Sequence, residues 1–111
     1  MTGSAELGAA VARLAATIEA RRGAAPEASY TASLLAGGPA QCAKKLGEEA
    51  IELALAAVEE SPERIAAEAA DVLYHVLVLI AVRGVSPGAV AAVLAAREGK
   101  SGHAEKASRK Y

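Results

Sequence analysis

Two acidic clusters separated by a helix-breaking turn constrain this 111-residue chain more than any other feature. They lie in KKLGEEAIELALAAVEESPERIAAEAADVLYH, residues 44–75. On a helix, residues three and four apart are neighbours, so Glu48, Glu49 and Glu52 share one arc of about 100° with Lys45 inside it. Glu68 and Asp71 form a second such pair. Between the clusters, Ser61-Pro62 reads as an N-cap followed by proline at the first helical position, so one helix ends near Glu59 and the next starts at Pro62. The result is a helical hairpin. At 1.5 Å rise per residue, Glu52 and Glu68 sit roughly 13 Å and 9 Å from the turn, which brings the two clusters face to face.

Four or five carboxylates converging between packed helices repel at about 4 kcal/mol per close pair for an effective dielectric near 20, unless a cation neutralises them. A hard divalent ion suits an all-oxygen donor set, and Mg²⁺, or alternatively Mn²⁺, is favoured over zinc. The ordinary alternative is a set of solvated helix faces. It fits any single glutamate better than it fits the whole set, because Asp71 opens the run VLYHVLVLIAV, which is apolar almost all round and predicts burial. Glu49, Glu52, Glu68 and Asp71 are therefore the candidate metal ligands. Glu48, at the edge of the arc, is either a further ligand or the base that activates water, and Glu49 shares the second role as a candidate. Lys44 and Lys45 are either surface partners of these acids or contacts for phosphates bridged to the metal. His75, one turn after Asp71, reads more readily as a hydrogen-bonded core or supporting residue than as a ligand.

The length allows one domain. A net charge of −1 leaves no global basic footprint for nucleic acid. Hydrophobic residues make up 53% of the chain, yet there is no Phe or Trp and only three Tyr, so alanine supplies much of that fraction. Helices of this kind approach closely but bury little large apolar surface, which predicts a core completed by a homodimer or a higher homo-oligomer. The single cysteine, Cys42, excludes an intramolecular disulfide framework. Residues 1–11 lack the basic start and apolar core of a signal peptide, and the run from Val76 to Val82 is far below the roughly 20 residues that cross a bilayer. These features predict a soluble, cytoplasmic protein with no membrane partner.

In chain order, a first helix is expected from about Ser4 to Arg22, stopped by Gly23, with Leu7, Val11, Leu14 and Ile18 as its stripe. Arg21 and Arg22 suit the negative end of that helix, and the functional alternative has at least one of them reaching phosphate. Residues 26–38 read as mostly irregular, with TASLLAG a possible short helix. Gly38-Pro39 starts the second helix. The third runs from Pro62 to about Arg83 and ends at Gly84, and Ser86-Pro87 starts a fourth through Arg97. The tail GKSGHAEKASRKY has no apolar stripe and reads as a flexible terminus.

The pattern GEExxE followed by ExxD resembles the all-α nucleoside-triphosphate pyrophosphohydrolases, the MazG-like superfamily. Pro26-Glu27, SYT at 29–31, KKxGEE at 44–49, EAADVLYH at 68–75, Arg83-Gly84-Val85 and SGHAEKASR at 101–109 narrow the resemblance to the phosphoribosyl-ATP pyrophosphohydrolases of histidine biosynthesis. It covers nearly the whole chain after the first ten residues. The resemblance implies an all-α fold, magnesium at the acidic residues, and hydrolysis of phosphoribosyl-ATP to phosphoribosyl-AMP and pyrophosphate. It further implies that Ser29, Tyr30 and Thr31 face the ligand, and that Ser101, Gly102, Lys106, Ser108 and Arg109 contact phosphate. Two other readings remain open from the residues: a non-enzymatic helical oligomerisation module, and a housekeeping pyrophosphohydrolase of other nucleoside triphosphates.

Overall fold

Serine hydroxyls start four of the helices in the computed structural model, which describes residues 2–109 and, for Glu105, the backbone alone. Ser29 accepts a hydrogen bond from the Ala32 amide, Ser61 from Arg64, Ser86 from Ala89 and Ser101 from Ala104. Each satisfies one of the amides that a helix start leaves without a partner. The elements are α1 (Ser4–Ala20), a 3₁₀ turn (Pro26–Ala28), α2 (Tyr30–Glu59), α3 (Pro62–Val82), α4 (Pro87–Arg97) and α5 (Gly102–Ser108). The described residues contain no strand, so the fold is all-α.

The hairpin of α2 and α3 is the frame, and α1 packs on α3. The hairpin turn follows Ser61-Pro62 as the sequence indicates. At the far end of α3, Gly84 takes a φ of 71°, and the Gly84 and Val85 amides bond back to Ala81 and Ile80. This αL closure ends the helix where a residue with a Cβ would be strained.

The core lies where α1, the first half of α2 and the last half of α3 meet. Ile18, Leu34, Cys42, Leu77 and Val78 are buried there, with Val11, Leu14, Leu35 and Ile80 packed around them. Full burial of a side chain such as Ile18 or Val78 stabilises by about 1.5–3 kcal/mol. Cys42 behaves as a small core residue. Its thiol donates to the Leu34 carbonyl at 3.1 Å, and burial pushes its pKa up.

The structure refines the sequence expectations at several points along the chain. Residues 30–37 form the short helix that TASLLAG allowed, within a stretch otherwise expected to be irregular, because Ser29 caps them and Ala32 and Leu34 are buried against the core. The expected start at Gly38-Pro39 survives as a break inside α2, where Gly38 leaves helical geometry at φ 87° and ψ 175°. α1 stops at Ala20, with Arg21 as its C-cap. In the tail, read from the sequence as a flexible terminus, Ser101 caps a two-turn helix whose described side chains are exposed.

By length and composition alone, α3 would suffice to cross a membrane, with a mean hydropathy of 1.9 over its most apolar 18-residue window. The expectation drawn from the short run Val76–Val82 did not register this. In the fold α3 is the core helix, and it buries Glu68 and His75 on its packed side. No residue of α4 is buried, and Val90, Val93 and Leu94 are exposed on it.

Candidate active site

Between the hairpin turn and the apolar core, α2 and α3 bring carboxylates together. One oxygen each from Glu49, Glu68 and Asp71 lies within 4.8 Å of the others. The i, i+3 spacing of Glu68 and Asp71 puts both on the side of α3 toward α2, and Glu49 meets them from across the hairpin. Asp71 is exposed, against the burial expected from the apolar run it opens, because it lies at the solvent edge of the face that buries Glu68 and His75. Glu68 is 3% exposed, a rare degree of burial for a charged residue. Its Oε1 pairs with Arg64 at 3.1 Å, one turn earlier on α3. Its Oε2 and the Oε2 of Glu49 are buried with no hydrogen-bond partner.

Both acids hold their protons more tightly than free glutamate. For Glu49, desolvation is the main cause, followed by the neighbouring Glu52 carboxyl and then the charges of Asp71 and Glu68. For Glu68, desolvation again leads, Arg64 opposes it, and Glu52 and Asp71 add to it. Buried carboxylate oxygens without donors, grouped with like charges, fit a site for a hard cation, which would supply the missing positive partner. Glu52 belongs electrostatically to this group but is exposed at its rim. Glu48 lies outside the trio, with its side chain 49% exposed and 3.6 Å from the Lys45 ammonium.

His75 is buried beside the trio, its Nε2 at 4.0 Å from Glu49 Oε1. Burial lowers its pKa, Lys45 lowers it further, and Asp71 opposes both. The imidazole is therefore neutral near pH 7, and the contact with Glu49 is dipolar rather than an ion pair.

The other candidates separate into groups. Thr31 Oγ1 meets the Tyr74 hydroxyl at 2.5 Å, and Tyr30, 57% exposed, stacks on the Tyr74 ring. The SYT segment is thereby linked to the part of α3 that follows Asp71. Ser29 is committed to capping α2. Lys44 is exposed on α2, one position before Lys45. Arg22 hydrogen-bonds the Ala81 carbonyl and pairs with Glu19 at 3.5 Å. Ala81 is ten residues beyond Asp71, about 15 Å along α3, so Arg22 caps the far end of the core rather than joining the carboxylates. Ser101, Gly102, Lys106 and Ser108 belong to α5 and its cap, and Arg109 follows it.

Two residues that the sequence reading did not single out take part here, Arg64 and Tyr74. Arg64 was legible as an i, i+4 partner of Glu68. Tyr74 sits inside the motif DVLYH, but its bond to Thr31 spans 43 positions and leaves no local signal.

The match to known proteins covers both acidic clusters. The family model described as phosphoribosyl-ATP pyrophosphohydrolase matches residues 11–98, so the tail lies beyond it. A protein of Cereibacter sphaeroides named phosphoribosyl-ATP pyrophosphatase is 61% identical over 97 residues, which is 87% of this chain and 94% of that one. Proteins of the same name from Caulobacter vibrioides (63% identical, 87% of this chain and 90% of that one) and Rhodobacter capsulatus (56%, 90% and 97%) are similar to it. With most of its length and the whole carboxylate site inside these matches, the chain belongs to the phosphoribosyl-ATP pyrophosphohydrolase family.

Proposed function

We propose that the chain hydrolyses phosphoribosyl-ATP to phosphoribosyl-AMP and pyrophosphate, the second step of histidine biosynthesis, at the carboxylates between α2 and α3. The carrying observation is the convergence of Glu49, Glu68 and Asp71 with two buried, unpartnered oxygens, in a chain of this family.

In this reading Glu49, Glu68 and Asp71 hold Mg²⁺, with Glu52 at the rim, and Mn²⁺ is an acceptable substitute. When bound, the cation spreads the charge that develops on the phosphates. Arg64 holds one oxygen of Glu68, which fixes the direction of the other. His75 walls the site beside Glu49 without adding charge. Glu48, outside the trio and open to solvent, orients the attacking water and accepts its proton. The water oxygen forms a new bond to phosphorus, the bridging bond between the α and β phosphates breaks, and pyrophosphate leaves. Lys44, Lys45 and Tyr30, with Ser101, Gly102, Lys106, Ser108 and Arg109 of the tail, are the proposed substrate contacts. Ser29 and Thr31 support them through the first turn of α2, and Arg22 supports the fold at the far end of the core.

A homodimer or larger homo-oligomer and a cytoplasmic location go with this reading. Support for the assembly comes from a groove of about 680 Å³ between α1, α3 and α4, whose lining includes Leu7, Leu73, Val90 and Leu94, all exposed in the single chain. The functional test is product analysis with phosphoribosyl-ATP and with ordinary nucleoside triphosphates, each with and without Mg²⁺. Metal-dependent conversion of phosphoribosyl-ATP in preference to the others is expected. Equal cleavage of all would contradict the substrate, and cleavage of none would favour a binding module.

A further inference from the structure

The break at Gly38-Pro39 leaves the first segment of α2 without rigid helical continuity to the segment that bears Glu49. Apolar packing of Ala32 and Leu34 holds that first segment on the core, and the Cys42 thiol bonds the Leu34 carbonyl across the break, but neither is a directional bond to the first turn at residues 29–31. A direction comes from Tyr74 on α3. Its hydroxyl meets Thr31 Oγ1 at 2.5 Å. Its ring lies 18° from the plane of Tyr30, with centroids 6.4 Å apart, an offset stack. The same ring stands edge-on to His75, at 79° and 5.0 Å, and His75 approaches Glu49 at 4.0 Å. One half-buried side chain thus joins the exposed Tyr30 to the wall of the carboxylate site.

We infer that Tyr74 is a positioning residue for substrate binding. Through Thr31 and Tyr30 it fixes the first turn of α2 relative to Glu49, Glu68 and Asp71, so that a phosphoribosyl nucleotide held at the carboxylates also meets the Tyr30 ring. This rests on the phosphoribosyl-ATP reading above.

Tyr74→Phe keeps the ring and both ring contacts and removes only the hydroxyl. Losing the orienting bond is expected to raise KM for phosphoribosyl-ATP about 3- to 10-fold, the range of one hydrogen bond, while kcat stays within about twofold. Thr31→Val is expected to raise KM similarly, and Thr31→Ser to recover most of that loss. The double variant Tyr74→Phe/Thr31→Val should be no worse than the poorer single variant, because both remove the same bond. A merely structural hydroxyl would lower Tm and leave KM unchanged. An unchanged KM in Tyr74→Phe, or a double variant whose KM rises by the product of the two single effects, would overturn the inference. Wild-type protein that turns over phosphoribosyl-ATP beside an unaffected Tyr74→Phe overturns the positioning role alone. Wild-type protein that leaves phosphoribosyl-ATP intact overturns the substrate reading and this inference together.

Discussion

Glu49 on α2 and Glu68 on α3 place carboxylate oxygens within 4.8 Å of each other, and each keeps one buried oxygen without a hydrogen-bond donor. A buried carboxylate oxygen without a donor destabilises a fold, a cost that a cation held at this site would offset.

Mg²⁺ is therefore expected to raise thermal stability. At a concentration 100 times its Kd the gain is about 2.7 kcal/mol. Glu49→Gln removes one of the repelling charges, so its metal-free Tm should equal or exceed that of the wild type, while the Mg²⁺-induced rise shrinks or disappears. Differential scanning calorimetry with and without Mg²⁺ checks both. An equal rise in the variant would separate Glu49 from the cation.

Stability in chelator should depend on pH in two opposed ways. Glu49 and Glu68 have raised pKa values in the folded state, so their contribution is fully present below the unfolded value of 4.5 and is lost as pH rises through the folded values. His75 has a lowered pKa, so its contribution is present above 6.5 and is lost as pH falls toward its folded value. Urea titrations across this range should show Glu49→Gln gaining on wild type as pH rises from 4.5. A gap that narrows instead would contradict the burial of a carboxylate charge.

Much of this was legible in the sequence because the signals are local. Ser61-Pro62, Ser86-Pro87 and Gly84 mark helix ends through chemistry confined to one turn, and the structure uses them in those roles. Glu68 and Asp71 were readable as one face by spacing, and Glu49 followed from the hairpin. The helix before Gly38 was only half visible, because its stability comes from burying Ala32 and Leu34 against α1 and α3. Arg22 carried a dipole argument and a phosphate argument at once, and the structure ties it to the Ala81 carbonyl, a partner 59 positions away. The Tyr74–Thr31 bond is non-local in the same sense.

Assembly is expected to follow from the open groove between α1, α3 and α4. Sedimentation at micromolar concentration should give a dimer or larger species. Leu94→Glu, at an exposed position of that groove, should shift the equilibrium toward monomer and lower Tm. A wild-type protein that sediments as a stable monomer would contradict the expected completion of the core.

Truncation after Gly99 removes α5 and its serine cap. Fold and Mg²⁺ binding should survive, while substrate affinity falls by a factor on the order of 10 to 1000, from one or two charge-assisted contacts at about 1.5–3 kcal/mol each. Steady-state kinetics beside the full-length chain checks this. Unchanged catalytic efficiency would leave Lys106 and Arg109 without a part in binding.

The central claim is that the carboxylates shared by α2 and α3 form the metal-dependent hydrolytic site. Pyrophosphate release from phosphoribosyl-ATP, followed against Mg²⁺ concentration for wild type, Glu52→Gln and Asp71→Asn, tests it most directly. Wild type should show saturable, Mg²⁺-dependent release, and both variants, with helical content unchanged by circular dichroism, should lose activity by about 100-fold or more. Variants that release pyrophosphate at the wild-type rate with the same Mg²⁺ dependence would contradict it.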